Sequence, residues 1–181
     1  MSKKTMGTLI YLNRIKDKFD NDSRILVVQA LVLSIINYCS RIWGSTNKSQ
    51  IQRVQKLHNF AATIACGNVR KYDHAIPFID KLNWLKIENK CLFDTCVLFY
   101  KILNNQIPSW LLNLTPVGEV NQRITRQLND LFIPRTNTLT GGRNMAIRGS
   151  SLWNGLPGDL KEICSTQGFK SRLKKHFLEL Q

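Results

Sequence analysis

The stretch "LNWLKIENKCLFDTCVLFYKILN" constrains the fold of this chain more than any other. Leu85, Leu92, Cys96, Phe99 and Leu103 recur at helical spacing on one face, and Phe93, Val97 and Tyr100 widen it. A stripe this dense has to be covered, so it predicts a helix at the centre of a core.

The flanking sequence predicts helices to cover it. Residues 22–42 set Asp22 or Ser23 as an N-cap before a long apolar run, which reads as a core helix buried on most sides. Residues 48–66 place Ile51, Val54, Leu57 or His58, Ala61, Ile64 and Ala65 at helical spacing, and Gly67 stops them. A short segment follows around Asp73–Leu82 with Pro77 near its start, and Pro108 opens another in "PSWLLNL". The end, "STQGFKSRLKKHFLELQ", is amphipathic, with Phe169, Leu173, Phe177 and Leu180 on one face and Lys170, Arg172, Lys174 and Lys175 around the other.

Between these parts the period disappears. Residues 116–149 carry Pro, Gly, Asn and Thr, with Arg123, Arg126, Arg135, Arg143 and Arg148 set against only Glu119 and Asp130. "LNDLFIPR" and "RNMAIRG" read as an irregular arm or as two strands of a hairpin turning at Gly141 and Gly142. In "MAIRGSSLWNGLPGDLKE", Gly149 permits a bend, Ser150 or Ser151 caps a short turn bearing Leu152 and Trp153, and Pro157 redirects the chain. The expected fold is mainly α: a compact helical bundle over residues 1–115, an Arg-rich arm over 116–150, and a Trp-anchored turn with a basic helix over 151–181.

The charge points to a partner. Among 181 residues, 26 Lys and Arg face 12 Asp and Glu, a formal charge of +14 that exceeds what solubility needs. RNA or DNA is the first candidate, since cations that neutralise phosphates release condensed counterions. An anionic membrane surface is the second; no apolar run is long enough to span a bilayer, and the N-terminus lacks a signal-peptide h-region, so an intracellular protein is expected, nuclear or in a cytoplasmic ribonucleoprotein. Cys39, Cys66, Cys91, Cys96 and Cys164 are scattered and odd in number, which favours buried or free thiols over a zinc site.

Catalytic patterns are missing. Two-metal chemistry needs clustered carboxylates, and the chain has no Asp-Asp pair; Asp17, Asp20 and Asp22 surround a helix break, where capping is their simpler role. No phosphate-binding glycine loop and no nucleophile elbow occurs, and His58, His74 and His176 stand apart from any acid or nucleophile pattern. No catalytic residue, cofactor or metal ligand is therefore assigned. The candidate phosphate-binding residues are Arg123, Arg126, Arg135, Arg143, Arg148, Lys170, Arg172, Lys174 and Lys175. Tryptophans can stack on bases, but Trp43, Trp84 and Trp110 sit in apolar helical contexts that favour core packing, and Trp153 with Pro157 reads as an anchor for the arm.

Taken in order, "LVLSIINYCSRIWG", "IQRVQKLHNFAATIACG", Trp84-Leu85, Tyr100-Lys101 with "IPSWL" close behind, and "LWNGLP" followed by "FKSRLK" resemble the region after the catalytic domain in non-LTR (LINE-type, jockey-like) retrotransposon reverse transcriptases. The resemblance runs from about residue 20 to the C-terminus. It implies a thumb and connector that hold template RNA and primer DNA against a palm domain, with target-primed reverse transcription as the parent activity. The palm's Tyr-x-Asp-Asp motif, the endonuclease and a Cys/His knuckle are absent from this chain, so the activity is not carried over. A 5′-truncated element copy, an incomplete gene model and a host-captured exon would each leave such a chain. A second reading is a helical interaction module that docks an apolar surface on a polymerase domain or a host protein.

Overall fold

The computed structural model describes residues 2–67, 75–108, 110, 112, 114–120 and 130–181. They are mainly helical, as the periodicity predicts, with no strand among them beyond one isolated bridge. The chain forms two compact units, Met1–Lys90 with Gln181, and Cys91–Leu180, and the boundary falls inside a helix.

In the first unit, α1 (Ser2–Ile15), α2 (Asn21–Val28), α3 (Ser34–Asn37) and α4 (Ser40–Trp43) precede the long α5 (Lys48–Cys66), which packs against α1, α2 and α6 (Ile76–Lys81). The buried face of α5 is Val54, Leu57, His58, Ala61, Ala62, Ile64 and Ala65, and Leu9, Val28, Val32, Ile36 and Ile79 are buried with it in this unit. Gly67 ends α5 with φ +81°, a conformation that suits only glycine at low cost.

The single helix expected over residues 22–42 is instead broken. Asp20, not Asp22 or Ser23, is the N-cap of α2, its carboxylate accepting from the Ser23 amide at 3.2 Å. A π-helical turn over Gln29–Leu33 then widens the helix, and Cys39 at φ +52° turns the chain before α4. The run is also not buried on most sides: Leu26 is 66% and Ile42 67% exposed. A second correction concerns "LNWL". Asn83 takes a left-handed conformation (φ +52°), its amide donating to the Asp80 carbonyl and that of Trp84 to the Ile79 carbonyl, which closes α6 as a Schellman motif. The next helix, α7 (Ile87–Leu103), therefore starts later than the periodicity suggests.

In the second unit, α7 supplies Cys96, Leu98, Phe99, Tyr100 and Ile102 to the core, whereas Leu103, expected on the buried stripe, is 37% exposed. Asn105 (φ +54°) ends α7 by the same Schellman arrangement, with Gln106 N donating to Lys101 O. Short α8 (Val117–Val120) and α9 (Leu139–Gly142) lead to α10 (Met145–Asn154), α11 (Gly158–Lys161) and α12 (Thr166–Glu179). The expected strand "RNMAIRG" is mostly the start of α10, capped by Asn144 Oδ1 on the Ala146 amide, and Gly141 and Gly142 lie in α9 rather than in a hairpin turn. Gly149 permits no bend: it lies within α10, where an added Cβ would come within 2.3 Å of the Phe99 ring. The core closes on Phe169, whose ring stacks on Tyr100 at 4.2 Å and tilts against Trp153 at 6.0 Å, while Tyr100 Oη donates to Ile163 O.

Candidate nucleic-acid interface

The basic helix α12 is built from its apolar side. Phe169, Leu173 and Phe177 are buried at four-residue spacing, and Ser165 caps the helix by accepting from the Gly168 amide. Leu180, expected on that face, is 66% exposed and lies beyond the last turn. Fixing the apolar stripe fixes the cations. Lys170 and Lys174 stand one turn apart along one flank, Arg172 and Lys175 along the other, with Arg172, Lys174 and Lys175 exposed and Lys170 half-buried. Among the described residues no carboxylate is paired with any of the four. Like charges at this spacing oppose one another within each flank, so the two pairs are held by the burial beneath the helix and gain when an anion approaches.

The other sites are more scattered. Arg135 is exposed in the irregular segment before α9, Arg143 is exposed between α9 and the Asn144 cap, and Arg148 is half-buried on α10. Arg123 and Arg126 lie outside the described residues. Several cations serve the fold itself. Arg24, 8% exposed, donates from Nε to Ala65 O and from its guanidinium to Asn21 Oδ1, where it meets the carbonyl end of α5. Lys86 Nζ donates to Gln181 O at 2.6 Å, and Lys161 Nζ donates to Asn154 O and lies 3.5 Å from Asp130. Sequence reasoning had no signal for Arg24 on Ala65 or Lys86 on Gln181, because those partners lie 41 and 95 residues away in the chain.

The anchors divide. Trp153 is 5% exposed against Phe169, and Trp84 is 8% exposed with His58 5.5 Å from its ring. Pro157 is exposed and caps α11, its carbonyl accepting from the Leu160 amide. Trp110 corrects the expectation outright: it is 78% exposed and packs no core.

Two buried groups have strongly shifted acidity. Burial alone holds His58 down to about 4 and pushes the Cys96 thiol up to about 12, so one is a neutral imidazole and the other an inert thiol. No group of three or more His, Cys, Asp or Glu among the described residues is placed to hold a metal ion, and no described helix is long and apolar enough to cross a membrane. Compared with protein-family models, with curated proteins and with solved structures, the chain matches none of them.

Proposed function

We propose that this chain is the non-catalytic C-terminal portion of a non-LTR retrotransposon reverse transcriptase, and that it binds RNA or RNA–DNA duplex through phosphates. In the parent protein it supports target-primed reverse transcription by holding template and primer beside the palm domain. The observation that carries the binding is the set of four cations on the two flanks of α12, without carboxylate partners among the described residues, in a chain of net charge +14. The retrotransposon origin rests on the order of the sequence motifs. Such a surface acts on the backbone, so it gives affinity without base sequence.

The test is binding of a labelled RNA hairpin to the full chain from low to moderate salt. The logarithm of the affinity falls linearly with the logarithm of the salt concentration, as counterion release requires. Absence of binding at low salt, or affinity indifferent to salt, overturns the proposal.

A second reading has its own observation. The first unit exposes Met6, Ile10 and Tyr11 on α1, and Leu26, Leu31, Tyr38 and Ile42 between α2 and α4. That much exposed apolar surface suits docking on another protein. Concentration-dependent self-association with little affinity for RNA favours this reading over the first.

A further inference from the structure

Trp110 is 78% exposed, whereas Trp84 and Trp153 are buried and Trp43 is half-buried with its Nε1 donating to Tyr38 O. An indole buries roughly 150–250 Å² when covered, so leaving one in water forgoes a large hydrophobic gain. The same unit exposes a second aromatic ring beside a cation. In "FIPR", Phe132 is 42% and Ile133 38% exposed, and Arg135 follows in the open.

Backbone pairing brings these features near one another. Phe132 N donates to Thr115 O and Val117 N to Asp130 O, both at 2.8 Å, around the bridge between Pro116 and Leu131. Trp110 precedes Thr115 by five residues, a length that spans at most about 18 Å fully extended. Two exposed rings and a guanidinium therefore lie within the reach of a short run of nucleotides.

We propose that Trp110 and Phe132 are stacking platforms for the bases of single-stranded nucleic acid, with Arg135 on the neighbouring phosphate. The proposal rests on the phosphate-binding reading above and adds the form of strand preferred. Every unpaired base offers a π face, whereas a duplex hides its base faces in the stack, so the rings discriminate by strandedness and not by sequence. Charge complementarity selects this occupant over an apolar protein surface: the chain carries +14, and a cation sits three residues from Phe132.

The experiment uses the full chain, a labelled unstructured oligouridylate and a blunt RNA duplex with the same number of phosphates, at one low salt concentration. The oligouridylate quenches the tryptophan emission of the wild type. Trp110→Ala abolishes most of that quenching and weakens single-strand affinity about tenfold, while duplex affinity is unchanged. Trp110→Phe keeps most of the affinity, and Phe132→Ala loses a smaller part of it. Circular dichroism melting of Trp110→Ala matches the wild type, as the ring's exposure requires. If the wild type binds both probes and Trp110→Ala binds the oligouridylate equally well, the platform is refuted and phosphate binding stands. Equal weakening toward both probes assigns Trp110 a structural role and also refutes the platform. If the wild type binds neither probe, both proposals fall.

Discussion

The Asn154 carboxamide closes a two-way pair on the backbone of Leu131: the Leu131 amide donates to Asn154 Oδ1 at 2.9 Å and Asn154 Nδ2 donates to Leu131 O at 2.9 Å. The side chain thus does what a neighbouring strand would do. Leu131 itself is 2% exposed, and the bridge to Pro116 holds its flanking residues on the other side. The asparagine of "LWNG" ties the irregular segment to α10.

Asn154→Ala leaves a part-buried amide and carbonyl unpaired, and its expected cost is about 1–3 kcal/mol. The loss is local as well as global. Tryptic cleavage after Arg135 accelerates more than cleavage after Arg172, and the urea midpoint falls. Unchanged cleavage together with an unchanged midpoint would show that the pair holds nothing in place.

Gly149→Ala opposes two effects of known sign. Within a helix, alanine is favoured over glycine by about 1 kcal/mol. At this position the new Cβ lies 2.3 Å from Cε2 and Cζ of Phe99, whose ring is fully buried, so the ring or the helix must shift. Overpacking at a cost of about 1–3 kcal/mol should win, so the variant melts lower. Combining it with Phe99→Leu should restore part of the loss, and a double-mutant cycle with no coupling would contradict the contact.

How much of this was legible in the sequence depends on how local the cause is. The bounds of α5 follow from its spacing and from Gly67, and α12 follows from Ser165 and the Phe169–Leu173–Phe177 stripe, because those causes lie within each helix. The expected bounds at Leu82 and Asn104 lie close to the ends of α6 and α7, but the left-handed turn at Asn83 was not read, because the apolar run around it masked its signal, and so the start of α7 at Ile87 was missed. Gly149 misled in the other direction, since its place is set by Phe99, fifty residues earlier in the chain. In the candidate site, α12 was readable. The cations engaged in structure were not, because Arg24 answers to Ala65 and Lys86 to Gln181, separated by 41 and 95 residues. Trp110 looks like core in its apolar neighbourhood, and only the tertiary fold leaves it exposed.

Trp153→Ala empties space against Phe169 in the core of the second unit. Removing a buried indole should cost about 3–5 kcal/mol, read as a lower urea midpoint. RNA affinity per folded molecule should hold, because the ring is only 5% exposed. Intact stability with lost affinity would instead make Trp153 a base-stacking residue.

Acid should weaken the fold through His58. Its Nδ1 is buried without a hydrogen-bond partner, and burial lowers its pKa from 6.5 to about 4. Between those values the unfolded chain binds the proton and the folded chain does not, so stability falls as the pH drops through this window and is level above it. The full loss is on the order of 3 kcal/mol. Asp20 is held below 3.8 by its hydrogen bonds from Ser23 and so acts only at lower pH. Urea midpoints at pH 7, 5.5 and 4.5 check the slope, and His58→Leu should flatten it; a slope that survives the substitution belongs to other groups.

The α12 cations can be separated from the structural cations by salt dependence. Lys170→Ala with Lys174→Ala removes one flank of the helix, and Arg172→Ala with Lys175→Ala removes the other. Each lost phosphate contact should reduce the slope of log affinity against log salt by about 1, so either pair lowers it by up to about 2. Lys86→Ala removes one charge where each pair removes two, but that ammonium donates to Gln181 O at 2.6 Å and is engaged within the fold. It should therefore lower stability and leave the slope unchanged. If all three variants shift the slope in proportion to net charge alone, binding follows the overall field of the protein and the α12 cations have no special place in it.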